Sequence, residues 1–178
     1  EKEAVATPSP ADQYVSKVLE CLNHTEATLA NMKAAADSAA ARWAKGGKVY
    51  VTDDETIDRT GNEEVKTVPG GGVNYPMVED WGGFVAEACD RAGGFRHIQP
   101  VPVNLKVTSK DVVLAGTAEL NPDRQIEQLK KLRDSGALII LFGSKDAKAA
   151  SAADFLIDNG LPAGVVPVMN AAGDSALI

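Results

Sequence analysis

Cysteine is nearly absent from this sequence. Its 178 residues hold only Cys21 and Cys89. Two are too few for a disulfide scaffold, and they lack metal-ligand spacing. Both fall in helical patterns, where the role of a small buried apolar residue suits them. Histidine is as scarce. His24 and His97 are far apart, with no His–Cys or His–carboxylate spacing that marks a metal site. No nucleophile elbow or Ser-His-Asp signature occurs. No metal and no cofactor is therefore expected. Basic residues are outnumbered, 18 against 25 acidic ones, which gives a formal net charge of −7 and a pI near 4.8. So acidic a surface repels phosphate backbones and anionic lipid, and this excludes nucleic acid and membrane as expected partners. No apolar run approaches the roughly 20 residues of a membrane helix.

What is present suits one soluble α/β domain with a full core. Hydrophobic residues make up 44% and charged residues 24%. Residues 1–11 are polar and proline-containing and read as a flexible lead-in; residues 12–178 read as the domain. The start at Glu1 fits removal of an export signal or trimming of the chain equally well. The cytoplasm is the expected compartment, with export as the alternative. After the Gly-Asp-Ser turn, a further helix is expected to begin or to follow.

Asp12 to about Lys45 is the longest helical pattern. Val15, Val18, Leu22, Leu29, Met32, Ala36, Ala40 and Trp43 form one stripe at steps of three, four or seven. Asn23-His24-Thr25 is a plausible break, and Gly46-Gly47 a stop. The stripe exceeds what one small sheet covers, so a homo-oligomer formed through this helix is expected. A strand follows at 48–52, then a polar loop from Asp53 to about Lys66 and the glycines Gly70-Gly71-Gly72. A helix is read from Pro76 or Met77 to Arg91. Strands are read at Phe95–Val101, Asp111–Ala115 and Ala137–Phe142; the last is a continuous apolar run that fits burial on both faces. Between the last two, Asn121 caps a helix that Pro122 opens and Gly136 ends. Ser144 is read as the cap of another helix, carrying Ala147, Ala150, Phe155, Leu156 and Ile157. Gly164–Val168 is read as the fifth strand. This alternation predicts a three-layer α/β/α sandwich with five parallel strands in the flavodoxin-like order 2-1-3-4-5.

Three stretches carry a family resemblance. Lys110-Asp111-Val112-Val113-Leu114, the short loop Gly116–Asn121 with the helix after it, and Ser135-Gly136-Ala137-Leu138-Ile139-Ile140 resemble the sugar isomerase (SIS) domain. The long first helix, Gly-Gly and Lys48-Val49-Tyr50-Val51 are also similar. The resemblance covers roughly residues 12–168 and rests on architecture and apolar pattern. It implies binding of a sugar derivative, phosphorylated or not, with aldose–ketose isomerisation as the activity if the domain is catalytic. The alternative is a non-catalytic domain that kept the fold and lost the phosphate site. Two loops depart from the family. Thr52-Asp53-Asp54-Glu55-Thr56 stands where the family has a Gly-rich, Ser-containing loop. The loop Gly116–Asn121 offers only Thr117 as a family-like hydroxyl, with Asn121 as a second polar group and Glu119 as an added negative charge.

Candidate site residues follow from topology and resemblance. In a 2-1-3-4-5 sheet, ligands sit outside the carboxyl ends of strands 1 and 3, where the chain reverses direction. Thr52, Asp53, Thr117 and Asn121 would line that crevice. Arg124, in the first turn of the following helix, is the one cation offered to an anion there; an ordinary capped helix is the plainer reading. Gly70, Gly71 and Gly72 could cradle an anion with backbone N–H groups, or be a hinge. Glu87 resembles in kind and location the catalytic glutamate of phosphoheptose isomerase, a member of the same family, and is the candidate general base; a solvated helix glutamate is the plainer reading. Asp53, Asp54, Glu55 and Asp58 read as a solvated acidic loop rather than a cation site.

Overall fold

The computed structural model describes residues 9–54, 66–68, 72–74, 85, 88, 97–101, 106–119 and 121–160. It opens with helix α1, Pro10–Trp43, 34 residues long. Ser9 and Asp12 cap it reciprocally: the Ser9 hydroxyl accepts the Asp12 N–H, and the Asp12 carboxylate accepts the Ser9 N–H. The helix runs unbroken through Asn23-His24-Thr25. His24 instead binds Asp158 with its imidazole at 2.9 Å, so the residue read as an interruption is a docking point. Gly46, at φ 81°, takes the left-handed conformation that ends the helix.

Five strands form the main sheet: β1 Val49–Asp53, β4 Ile98–Pro100, β5 Val112–Gly116, β6 Leu138–Gly143 and β7 Phe155–Asp158. Their order is β4-β1-β5-β6-β7, and every pairing is parallel. Numbered along the chain, this is the expected order 2-1-3-4-5. Helix α2, Pro122–Asp134, covers one face of the sheet. Helix α1 covers the other, together with Val85 and Ala88, which are helical and buried. β6 is buried at all six positions, since both of its faces meet a helical layer. Side-chain alternation divides the core. Tyr50, Val113, Ile139 and Leu141 pack under α2, and Val51, Val112, Ile140 and Ile157 under α1.

Two elements differ from expectation. The fifth strand is Phe155–Asp158, where a helix is read from sequence. The linker from β6 holds five alanines, which fit a helix but give it no oriented apolar face. Its only helical part is a 3₁₀ turn, Lys148–Ala152, that packs beside α2. Ser144 starts no helix; its hydroxyl accepts the Asp146 N–H in a local turn. Asp154 then aligns β7. It accepts the Ile139 N–H through its carboxylate and donates its own N–H to the Ile139 carbonyl. The stretch 164–168, read as the fifth strand, lies outside the described residues. The second difference is a hairpin, β2 Lys66–Val68 with β3 Gly72–Asn74, paired antiparallel within the segment read as loop. Among the described residues, no helix is long and apolar enough to cross a membrane.

Candidate functional site

The carboxyl ends of β1 and β5 lie side by side, with Thr52 paired to Ala115 and Asp53 to Gly116. This is the switch point, because the chain leaves β1 toward β4 on one side and later builds β5, β6 and β7 on the other. Thr52, Asp53, Thr117 and Asn121 do converge there. Their surroundings differ from those of an open crevice. Thr52 is buried under α2 and donates its hydroxyl to the Gln128 side-chain oxygen at 3.3 Å. Asp53, only 3% exposed, accepts the Val85 N–H on the opposite face. Thr117 is equally buried. Its hydroxyl accepts the Glu119 N–H at 3.3 Å, and its own N–H reaches the Phe142 carbonyl at 3.1 Å.

The acidic run after β1 corrects the solvated-loop reading at its first two residues. Asp53 and Asp54 are both buried, Asp54 to 1% exposure. The Asp54 carboxylate accepts the Ala118 N–H at 3.0 Å, and its carbonyl accepts the Asn121 amide at 3.4 Å. An internal carboxyl group thus occupies an N–H of the loop that precedes α2. The loop leads into the N-terminus of α2, and N–H groups at such a terminus are where an external anion would bind. Asn121 occupies the N-cap position of α2 but makes no capping hydrogen bond with its side chain. Arg124 is exposed in the first turn. Gly72 opens β3 opposite Val68, while Gly70, Gly71 and Glu87 lie outside the described residues.

Three features escaped the sequence reading: the burial of Gln125, the left-handed backbone of Glu119, of which only the charge was read, and the pairing of His24 with Asp158. Gln125 faces the core with Leu129 and Leu132 and is fully buried; its amide donates to the Gly116 carbonyl at 2.6 Å, and its side-chain oxygen has no partner. The signal was the i, i+4, i+7 spacing of 125, 129 and 132, passed over because Gln125 is polar. Glu119 stands at φ 59°, in the left-handed region rarely used by residues other than glycine. It is held there by the N–H it donates to Thr117 and by the Lys148 N–H that its carboxylate accepts at 2.6 Å. His24 and Asp158 form the third feature, a half-buried pair at the carboxyl end of β7. Nothing in their spacing, 134 residues apart, could have revealed it. Among the described residues no group of three or more His, Cys, Asp or Glu side chains comes together as a metal site.

Fold and crevice together define a flavodoxin-like α/β/α domain with a hydrogen-bonded, carboxylate-filled switch point. The chain matches no protein-family model and no curated protein.

Proposed function

We propose that this chain is a SIS-like domain that has exchanged its phosphate site for an internal carboxylate and acts as a non-catalytic binding or structural domain. The Asp54 carboxylate on the Ala118 N–H carries this reading. A phosphate brought to the same N–H would find it already taken by the buried Asp54 side chain, and Asp53 lies one residue away. A second reading, a domain that binds a neutral sugar derivative or isomerises one, draws on Asn121. That side chain is exposed beside the helix terminus it leaves uncapped. In that reading Arg124 joins the rim, Gly70, Gly71 and Gly72 supply further N–H donors, and Glu87 is the general base.

Calorimetric titration with inorganic phosphate, hexose phosphates and free hexoses separates the two. The first reading expects no phosphate or sugar phosphate to bind tighter than about 1 mM. It also expects Asp54→Ser, which uncovers the Ala118 N–H, to gain phosphate affinity. A sugar or sugar phosphate bound by the wild type, and bound about fivefold or more weakly by folded Thr117→Val through the loss of one hydrogen bond, would replace it with the second.

A further inference from the structure

Charge is spread unevenly along this acidic chain. Residues 38–52 and 91–110 hold seven of its 18 Lys and Arg and none of its 25 Asp and Glu. The fold brings the described parts of both segments to one place, the amino ends of β4, β1 and β5. Lys45 lies in the turn that ends α1, and Lys48 just before β1. Gly47 between them lies so close to the Lys110 carbonyl that a Cβ there would overlap it. The Trp43 indole meets the His97 ring at a centroid separation of 5.8 Å. Trp43 is still 55% exposed, and Lys45, Lys48, His97 and Lys110 are exposed beside it.

Two plainer accounts of these cations fall short. Basic residues favour helix C-termini because they complement the dipole. Arg42 and Lys45 fit that account, but Lys48, His97 and Lys110 stand at strand entries. Nor do neighbouring acids neutralise the cluster. Lys17, Lys33 and Lys131 each pair with a carboxylate on their own helix, whereas among the described residues Lys45 and Lys110 form no ion pair. Asp111, the acid beneath them, is buried and turns its oxygens to the Lys48 N–H and to the Thr108 N–H and hydroxyl.

The net charge of −7 does not cancel this face. At about 3.3 Å per residue, the five residues of β1 set its two ends roughly 16 Å apart. That is about twice the Debye length at physiological salt, so carboxylates at the far end are screened from it. The face is also small. On the β6 and β7 side it gives way to Asp134 and Asp154, both exposed, and along α1 to the Lys33–Asp37 pair. A long polyanion would meet these carboxylates on leaving the patch, and a short one would not. Three neighbouring strands span about 10 Å, which an extended peptide of about six residues crosses with a residue or more to spare on each side.

We propose that the amino-end face over β4, β1 and β5 docks a short acidic segment of another protein, its carboxylates on Lys45, Lys48 and Lys110 and an apolar side chain on the open face of Trp43. This surface lies at the opposite end of the strands from the switch point and does not rest on the functional reading. The lysines steer the encounter and set its register, and the aromatic anchor slows release.

Fluorescence anisotropy tests this on the full chain, with a labelled peptide of glutamates around one phenylalanine. Binding should lie on the order of tens of micromolar at low salt and weaken about tenfold at physiological salt. The same peptide with glutamine in place of glutamate should not bind. Lys45→Glu with Lys110→Glu should weaken binding at least about tenfold. Trp43→Ala should weaken it about threefold or more with the salt dependence unchanged. Lys17→Glu with Lys145→Glu alters the net charge equally, away from the face, and should change affinity less than about twofold. All five side chains are exposed, so the circular dichroism should be retained. Failure of the glutamate peptide to bind at low salt overturns the proposal, as does an equal loss in the two double variants. Oligothymidylate or phosphatidylserine vesicles that bind more tightly than the peptide, and lose binding in Lys45→Glu with Lys110→Glu, overturn it as well and assign the face to nucleic acid or to a membrane.

Discussion

A Cβ on Gly143 would run into the Thr117 methyl, so the end of β6 passes the switch-point loop only because it carries no side chain. Gly143→Ala should cost about 1–3 kcal/mol, the usual penalty for overpacking. Adding Thr117→Ser, which removes that methyl, should recover most of the loss; urea denaturation of the single and double variants measures the coupling. Glu119 tests strain in the same loop. Glu119→Ala keeps the left-handed backbone and loses the carboxylate bond to Lys148, whereas Glu119→Gly loses the bond and relieves the backbone. The glycine variant should be the more stable of the two by about 1 kcal/mol. Asp111 gives a pH test. Burial pushes its carboxyl up, but hydrogen bonds from the Lys48 N–H, the Thr108 N–H and the Thr108 hydroxyl, with the Lys48 charge, more than offset this and hold it below the usual carboxylate range. The unfolded chain has the ordinary value of about 3.9. The stabilisation is therefore complete above that value and fades as the pH falls through the lower, folded one. Asp111→Asn should lose about 2 kcal/mol at pH 7 and show a flatter acid limb in a pH series of denaturation curves.

Helix α1 is fastened at two places by polar groups, in addition to its apolar packing on the sheet. One nitrogen of the Arg42 guanidinium donates to the Ser109, Asp111 and Gly136 carbonyls at 2.9, 3.2 and 2.7 Å, tying the helix to the amino ends of β5 and β6. Arg42→Met keeps the stem and removes the charge; it should cost about 1.5–3 kcal/mol, read by thermal unfolding. At the other fastening, Asn31 donates to the Leu156 carbonyl and His24 meets Asp158, so β7 is held to α1 along its length. These contacts explain what was and was not legible in the sequence. The apolar stripe of α1, the proline-opened α2 and the apolar run of β6 each extend over many residues and were legible, although the break read at Asn23-His24-Thr25 does not occur. β7 was missed because four residues carry too little period to outweigh the alanines before them. What makes those four a strand is pairing with β6 and the Asp154 bonds to Ile139, contacts that the local pattern of the four residues does not carry.

Across the whole molecule, the order of the strands was legible and the chemistry at their ends was not. Topology alone brought Thr52, Asp53, Thr117 and Asn121 to the switch point. The burial of Asp54 under the Ala118 N–H depends on how two loops, more than sixty residues apart in sequence, meet once the sheet has formed. The sheet also joins near and distant segments unevenly. β5, β6 and β7 are consecutive along the chain and pair in sequence order, through loops short enough to close early. β1 can find its place beside β5 only by bringing Val49 to Val112 across the intervening chain. Folding should accordingly begin in the half from Asp111 to Asp158 and recruit β1 and α1 afterwards. In pulse-labelled hydrogen exchange, the amides of β6 should gain protection before those of β1.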